Sequence, residues 1–110
     1  MTSTIIANLE KLLNGPRDGA LLRFSLGNEW LKAGNPEYAI RYLREATTLD
    51  TTFSAAWKML GKALADKGDL SAALEAYKTG IAVAESRGDL QAAKEMTVFA
   101  KRLQKQMGNH

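Results

Sequence analysis

The side chains able to do chemistry are narrow in kind. The single histidine, His110, is the last of 110 residues, and there is no cysteine. That composition excludes a histidine base, a catalytic triad, a histidine or thiolate metal site and a disulfide framework. His110 is also expected to be disordered, as chain ends usually are. What remains is charge, with 12 Asp and Glu against 15 Lys and Arg. Paired carboxylates can act as general acid and base, but here most sit on helix faces near a lysine or arginine or at helix starts. Asp18, Asp69 and Asp89 precede amphipathic segments, where a carboxylate caps a helix. Glu37 falls in a first turn, beside the positive end of the helix dipole. The stretch Gly15-Pro16-Arg17-Asp18-Gly19 lacks the Lys-Ser/Thr of a phosphate loop. Neither an enzyme activity nor a metal or cofactor is expected.

The same charges bound the partners. A net charge of +3 spread over mixed signs is too mild for a dedicated nucleic-acid binder. No apolar run approaches the ~20 residues of a membrane span. The segment 1–8 has neither a basic start nor a long apolar core, so a secretory leader is not expected and the cytoplasm is the default location. Hydrophobic residues at 45% and charged ones at 25% suit an ordinary globular chain. We therefore expect one domain over 1–110.

The elements that must position these charges repeat. Leu26-Gly27-Asn28-Glu29-Trp30-Leu31-Lys32-Ala33-Gly34-Asn35 lines up with Leu60-Gly61-Lys62-Ala63-Leu64-Ala65-Asp66-Lys67-Gly68-Asp69 at a spacing of 34 residues, and Ala39 lines up with Ala73 and Leu43 with Tyr77. Gly34 and Gly68 read as left-handed helix stops. Asn35, followed by Pro36, and Asp69 read as caps of the next helix. Gly27 and Gly61 sit inside helices, where glycine costs roughly 1 kcal/mol against alanine. Their recurrence points to close helix packing that offsets this cost. Each unit is thus a helical hairpin: Gly19 to Ala33 with Glu37 to Leu49, then Phe53 to Lys67 with Leu70 to Ser86. On the second helix of the first hairpin, Tyr38, Ala39, Tyr42, Leu43, Ala46 and Leu49 share an apolar face.

The pattern Trp57-x-x-Leu60-Gly61-x-x-Leu64, followed by Gly68-Asp69, Ala73 and Tyr77, resembles the tetratricopeptide repeat. Residues 20–53 are similar, although Arg23 stands in the tryptophan slot, and Thr51 and Glu85 replace the proline before each following unit. The resemblance implies an all-α fold: a right-handed stack of antiparallel helical hairpins, six helices in all, with two full repeats and flanking capping helices. The expected bounds are an N-terminal helix over 2–15, repeats over 20–53 and 54–87, and a C-terminal capping helix over 88–108. In the first helix Ile5, Ile6, Leu9, Leu12 and Leu13 would share one face. In the last, Ala93, Met96, Ala100, Leu103 and Met107 are spaced for burial. This helix aligns with the preceding one better at a shift of 36 than of 34, placing Met96 on Leu60 and Ala100 on Leu64.

Resemblance to this family implies a protein-interaction module, an adaptor that holds a peptide in the concave groove lined by the first helix of each hairpin. Carried over position by position, the groove residues are Leu21, Phe24, Ser25, Asn28 and Leu31, then Lys58, Met59, Lys62 and Ala65, then Lys94, Thr97, Val98 and Lys101. Lys58, Lys62, Lys94 and Lys101 would form a basic wall, Phe24 and Met59 an apolar floor, and Asn28 a hydrogen-bonding point for a peptide backbone. An acidic or carboxylate-ended peptide with one apolar anchor would suit them, against the plainer reading of solvated lysines. Some family members clamp chaperone tails with Lys-Asn-Asn-Lys-Arg. Here only Asn28 matches, so that ligand is not expected. Trp30 and Trp57 fall at packing positions. The alternative is an assembly subunit that docks or self-associates through its convex face or open helical ends.

Overall fold

The computed structural model describes residues 4–108. Residues 2 and 3 of the expected first helix, and His110, lie outside the described residues. Six helices follow in order: α1 Thr4–Glu10, α2 Ala20–Lys32, α3 Pro36–Leu49, α4 Ser54–Lys67, α5 Leu70–Ser86 and α6 Leu90–Gln106, with no strand among the described residues. Consecutive helices pack as neighbours, and α4 also touches α2 and α6. The molecule is 46 × 32 × 19 Å. Its thinnest dimension is about two helix diameters, so the stack is one hairpin thick.

The local signals account for the helix ends. The Asn35 carboxamide accepts from Tyr38 N at 3.1 Å, and Pro36 opens α3. Asp69 and Asp89 accept from Ala72 N and Ala92 N, each at 3.3 Å. Gly34, Gly68 and Gly88 hold φ of 80°, 94° and 75°, the left-handed region that closes a helix without a Cβ clash.

The interior glycines are contact points. A Cβ on Gly27 would stand 2.5 Å from Leu43 Cγ, and one on Gly61 would stand 2.5 Å from the Tyr77 ring. The recurring glycine thus lets α2 approach α3, and α4 approach α5. Gly80 of α5 does the same, since its Cβ would meet Met96 Sδ at 2.5 Å and Trp57 Cβ at 2.8 Å. The main core joins α3, α4, α5 and α6 around Leu43, Leu60, Leu64, Tyr77 and Met96, while Ile6, Leu22 and Leu26 form a smaller cluster at the N-terminal end.

Three expectations change. The first helix ends at Glu10, well short of residue 15, and continues as tight turns through Leu12 N to Leu9 O and Leu13 N to Glu10 O bonds. Pro16 restricts the residue before it to extended backbone, and Asn14 turns left-handed at φ 65°. Ile6 is buried, whereas Ile5 and Leu12 are exposed. Leu49 and Met107, at the C-terminal ends of α3 and α6, are likewise exposed rather than buried. Asp18 does not cap α2, whose N-cap is Gly19 without a side-chain bond.

Asp18 instead grips Arg23, with Nη2 at 2.7 Å and Nε at 3.0 Å, while Arg23 Nη1 reaches Glu45 of α3 at 2.8 Å. The guanidinium in the tryptophan slot therefore ties the α1–α2 turn to α3. Arg23 holds the Asp18 carboxyl down at about 2. A carboxyl whose folded pKa is depressed contributes stability above its unfolded value and loses it as pH falls through the folded one. Wild-type protein should therefore lose stability between about pH 4 and pH 2, and Asp18→Asn should flatten part of that limb. Thermal melts at stepped pH check this. Asp50 and Glu95, also lowered, keep the limb from vanishing. A variant with the full wild-type slope would deny the Arg23 pair this role.

Candidate functional site: the cleft across α2, α4 and α6

The first helices of the hairpins lie side by side, and their shared face is hollow. Between α4 and α6 is a cleft of about 530 Å³, lined by Lys58, Met59, Lys62, Ala65 and Asp66 of α4, Tyr77 of α5, and Glu95, Phe99, Arg102, Leu103 and Gln106 of α6. A shallower stretch of about 340 Å³ continues it towards α2, lined by Asn28, Leu31, Lys32, Met59, Lys62 and Asp66. Met59, Lys62 and Asp66 belong to both, so the two form one trough.

Its floor is apolar. The Tyr77 and Phe99 ring centres stand 5.7 Å apart, and Met59, Ala65 and Leu103 complete the surface. Burial pushes the Tyr77 hydroxyl up to about 12, with Asp66 adding to the shift, so the phenol stays protonated. At the α2 end, Asn28 Oδ1 is buried without a hydrogen-bond partner among the described residues.

The rim is mixed in charge, which corrects the basic wall. Lys58 Nζ donates to Glu95 Oε1 at 2.9 Å, and Lys62 lies 3.8 Å from Asp66. Lys58 and a second hydrogen bond from Gln91 hold the Glu95 carboxyl below its usual range. Arg102 lies 5.9 Å from the Phe99 ring centre and has no carboxylate within ion-pair distance among the described residues.

The structure brings Asn28, Leu31, Lys58, Met59, Lys62 and Ala65 of the expected set to this trough. Phe24 does not line it; its ring packs on Phe53 at 4.7 Å and joins the edge of the core. Leu21 is exposed at 68%. Lys94, Val98 and Lys101 point to solvent, and Thr97 spends its hydroxyl on Ala93 O at 2.8 Å. The shift of 36 is right for the core, where Met96 and Ala100 are buried like Leu60 and Leu64. It fails for the cleft, because α6 rolls to lay Phe99 on Tyr77 and presents Glu95, Phe99 and Arg102 instead. Lys94 and Lys101 stand exposed on the side of α6 turned away from the cleft. The two tryptophans pack as expected. Trp57 Nε1 donates to Thr51 O at 2.9 Å, and Trp30 stacks on Tyr38 at 4.7 Å.

Stacked antiparallel hairpins with a trough along their first helices define a helical-repeat protein of the interaction class. No family model matches the sequence. The chain is 48% identical over 99 residues to a TPR repeat-containing protein of Pseudomonas aeruginosa, covering 90% of this chain and 94% of that one. A Bordetella parapertussis protein solved in solution is 41% identical with a TM-score of 0.82, over 96% of this chain and 91% of the other. The Sgt2 TPR domain of Aspergillus fumigatus is 27% identical with a TM-score of 0.80, over 96% of this chain and 69% of that one. The chain belongs to the tetratricopeptide repeat family, whose fold is in general that of protein–protein interaction modules. No described helix is long and apolar enough to cross a membrane.

Proposed function

We propose that this protein is an adaptor that binds a peptide segment of a partner protein in the trough across α2, α4 and α6. The observation that supports this most is the coincidence, in one hollow, of an apolar floor and polar groups at both ends. Met59, Ala65, Tyr77, Phe99 and Leu103 offer an anchor site for one bulky apolar side chain. Asn28, which lines the trough at its α2 end, offers its side-chain carboxamide to a peptide backbone. Arg102 offers a guanidinium to an acidic side chain or a terminal carboxylate. The ligand is thus a short segment with an apolar anchor and a nearby acidic group. Of the expected site residues, Asn28, Lys58, Met59 and Lys62 remain in this reading. Phe24, Lys94, Thr97 and Lys101 leave it.

An amide-resolved NMR titration with short peptides tests the proposal, using acidic and neutral sequences with free and amidated C-termini. Signals of Asn28, Met59, Phe99 and Arg102 should shift together, most for acidic peptides carrying a leucine or phenylalanine. A silent trough, with line widths that grow with protein concentration, would favour self-association through the convex face or helix ends instead.

A further inference from the structure

We propose that Glu95 is a specificity-determining residue of this trough: it occupies Lys58 as a ligand carboxylate would, and so biases the cleft against acidic groups at its α4 side. The inference rests on the peptide-binding reading above. Lys58 lines the cleft, and its ammonium would otherwise be a ready partner for an acidic peptide. Glu95, on the opposite wall, closes that approach with a 2.9 Å ion pair. The pair joins residues 37 apart in sequence and bridges α4 to α6 across the hollow. Gln91 Nε2 donates to the other Glu95 oxygen at 3.4 Å and orients the carboxylate towards the cleft. Asp66 already stands beside Lys62. Of the three cations on the cleft, Arg102 alone keeps its charge uncommitted to a carboxylate among the described residues.

A solvent-accessible ion pair is weak, so Glu95 tunes affinity without locking the site. Glu95→Gln keeps the shape and the Gln91 contact while releasing Lys58. Isothermal titration at low salt, with peptides that bind the trough and matched Asp and Asn versions of each, reads the effect. Glu95→Gln should tighten the Asp version about threefold to fivefold and leave the Asn version unchanged. In a Lys58→Gln background the same substitution should lose most of that gain. Circular dichroism confirms that each variant is folded. If the Asp-to-Asn ratio of Glu95→Gln equals that of wild type, the inference fails and the peptide-binding reading stands. An undiminished gain in the Lys58→Gln background also overturns it, because Glu95 then acts through general charge. If no peptide of the panel moves a trough signal in any variant, the peptide-binding reading falls and takes this inference with it.

Discussion

Replacing Gly61 with alanine will destabilise the protein by about 2 kcal/mol, although helix propensity alone favours alanine by about 1 kcal/mol. The added methyl would stand 2.5 to 2.7 Å from three carbons of the Tyr77 ring. Ordinary contact needs roughly 1 Å more. Tyr77 is 3% exposed and sits between Gly61 and Phe99, so the ring cannot withdraw without separating α4 from α5 or disturbing α6. For a chain of this size the melting temperature should fall by about 8–12 °C. Chemical denaturation of wild type, Gly61→Ala, Tyr77→Leu and the double variant checks the cause. Without the ring, Gly61→Ala should become neutral or stabilising, giving a strong coupling between the two sites. Additive effects would mean that the glycine is not a packing device.

Replacing Met59 with alanine will weaken peptide binding about threefold while leaving the fold intact. Met59 is the apolar residue common to both stretches of the trough, so its loss removes floor from the anchor site and interrupts the path to Asn28. The residue is mostly buried in the free protein but has some surface left to bury against a ligand. Burying a methionine fully contributes about 1.5–3 kcal/mol. The remaining part, about a third of the side chain, is worth about 0.7 kcal/mol, which is about threefold in affinity. Titration of one trough-binding peptide into both proteins measures this. Equal affinities would move the anchor site elsewhere. Affinity lost together with a large drop in melting temperature would show Met59 to be structural.

Much of the architecture is legible in single residues. The spaced glycines Gly34 and Gly68, the caps Asn35, Asp69 and Asp89, and the packing pairs Gly27 with Leu43 and Gly61 with Tyr77 all act within one hairpin, where sequence spacing determines geometry. Gly80 carries the same mid-helix signal as Gly61, but it lacks a counterpart 34 residues earlier, where Ala46 stands, and so escapes the repeat pattern. The site is less legible because its features arise between distant residues. The roll of α6 depends on Phe99 meeting Tyr77, which the shift of 36 does not encode. The neutralisation of Lys58 depends on Glu95, beyond the reach of any single-helix charge rule. Arg102 emerges as a cleft residue only once that roll is known.

The outer face of α6 has a consequence for how copies of the protein add to one another. A helical stack that ended on an apolar face would accept the next copy head to tail, and an interface that does not close on itself grows without limit. Lys94 and Lys101 stand exposed on that face with Val98 between them. A copy laid on this face would have to strip water from two ammonium groups, neither of which has a carboxylate within ion-pair distance among the described residues. The lysines that are turned away from the cleft thus make that face costlier to bury against a second copy than an apolar helix face would be.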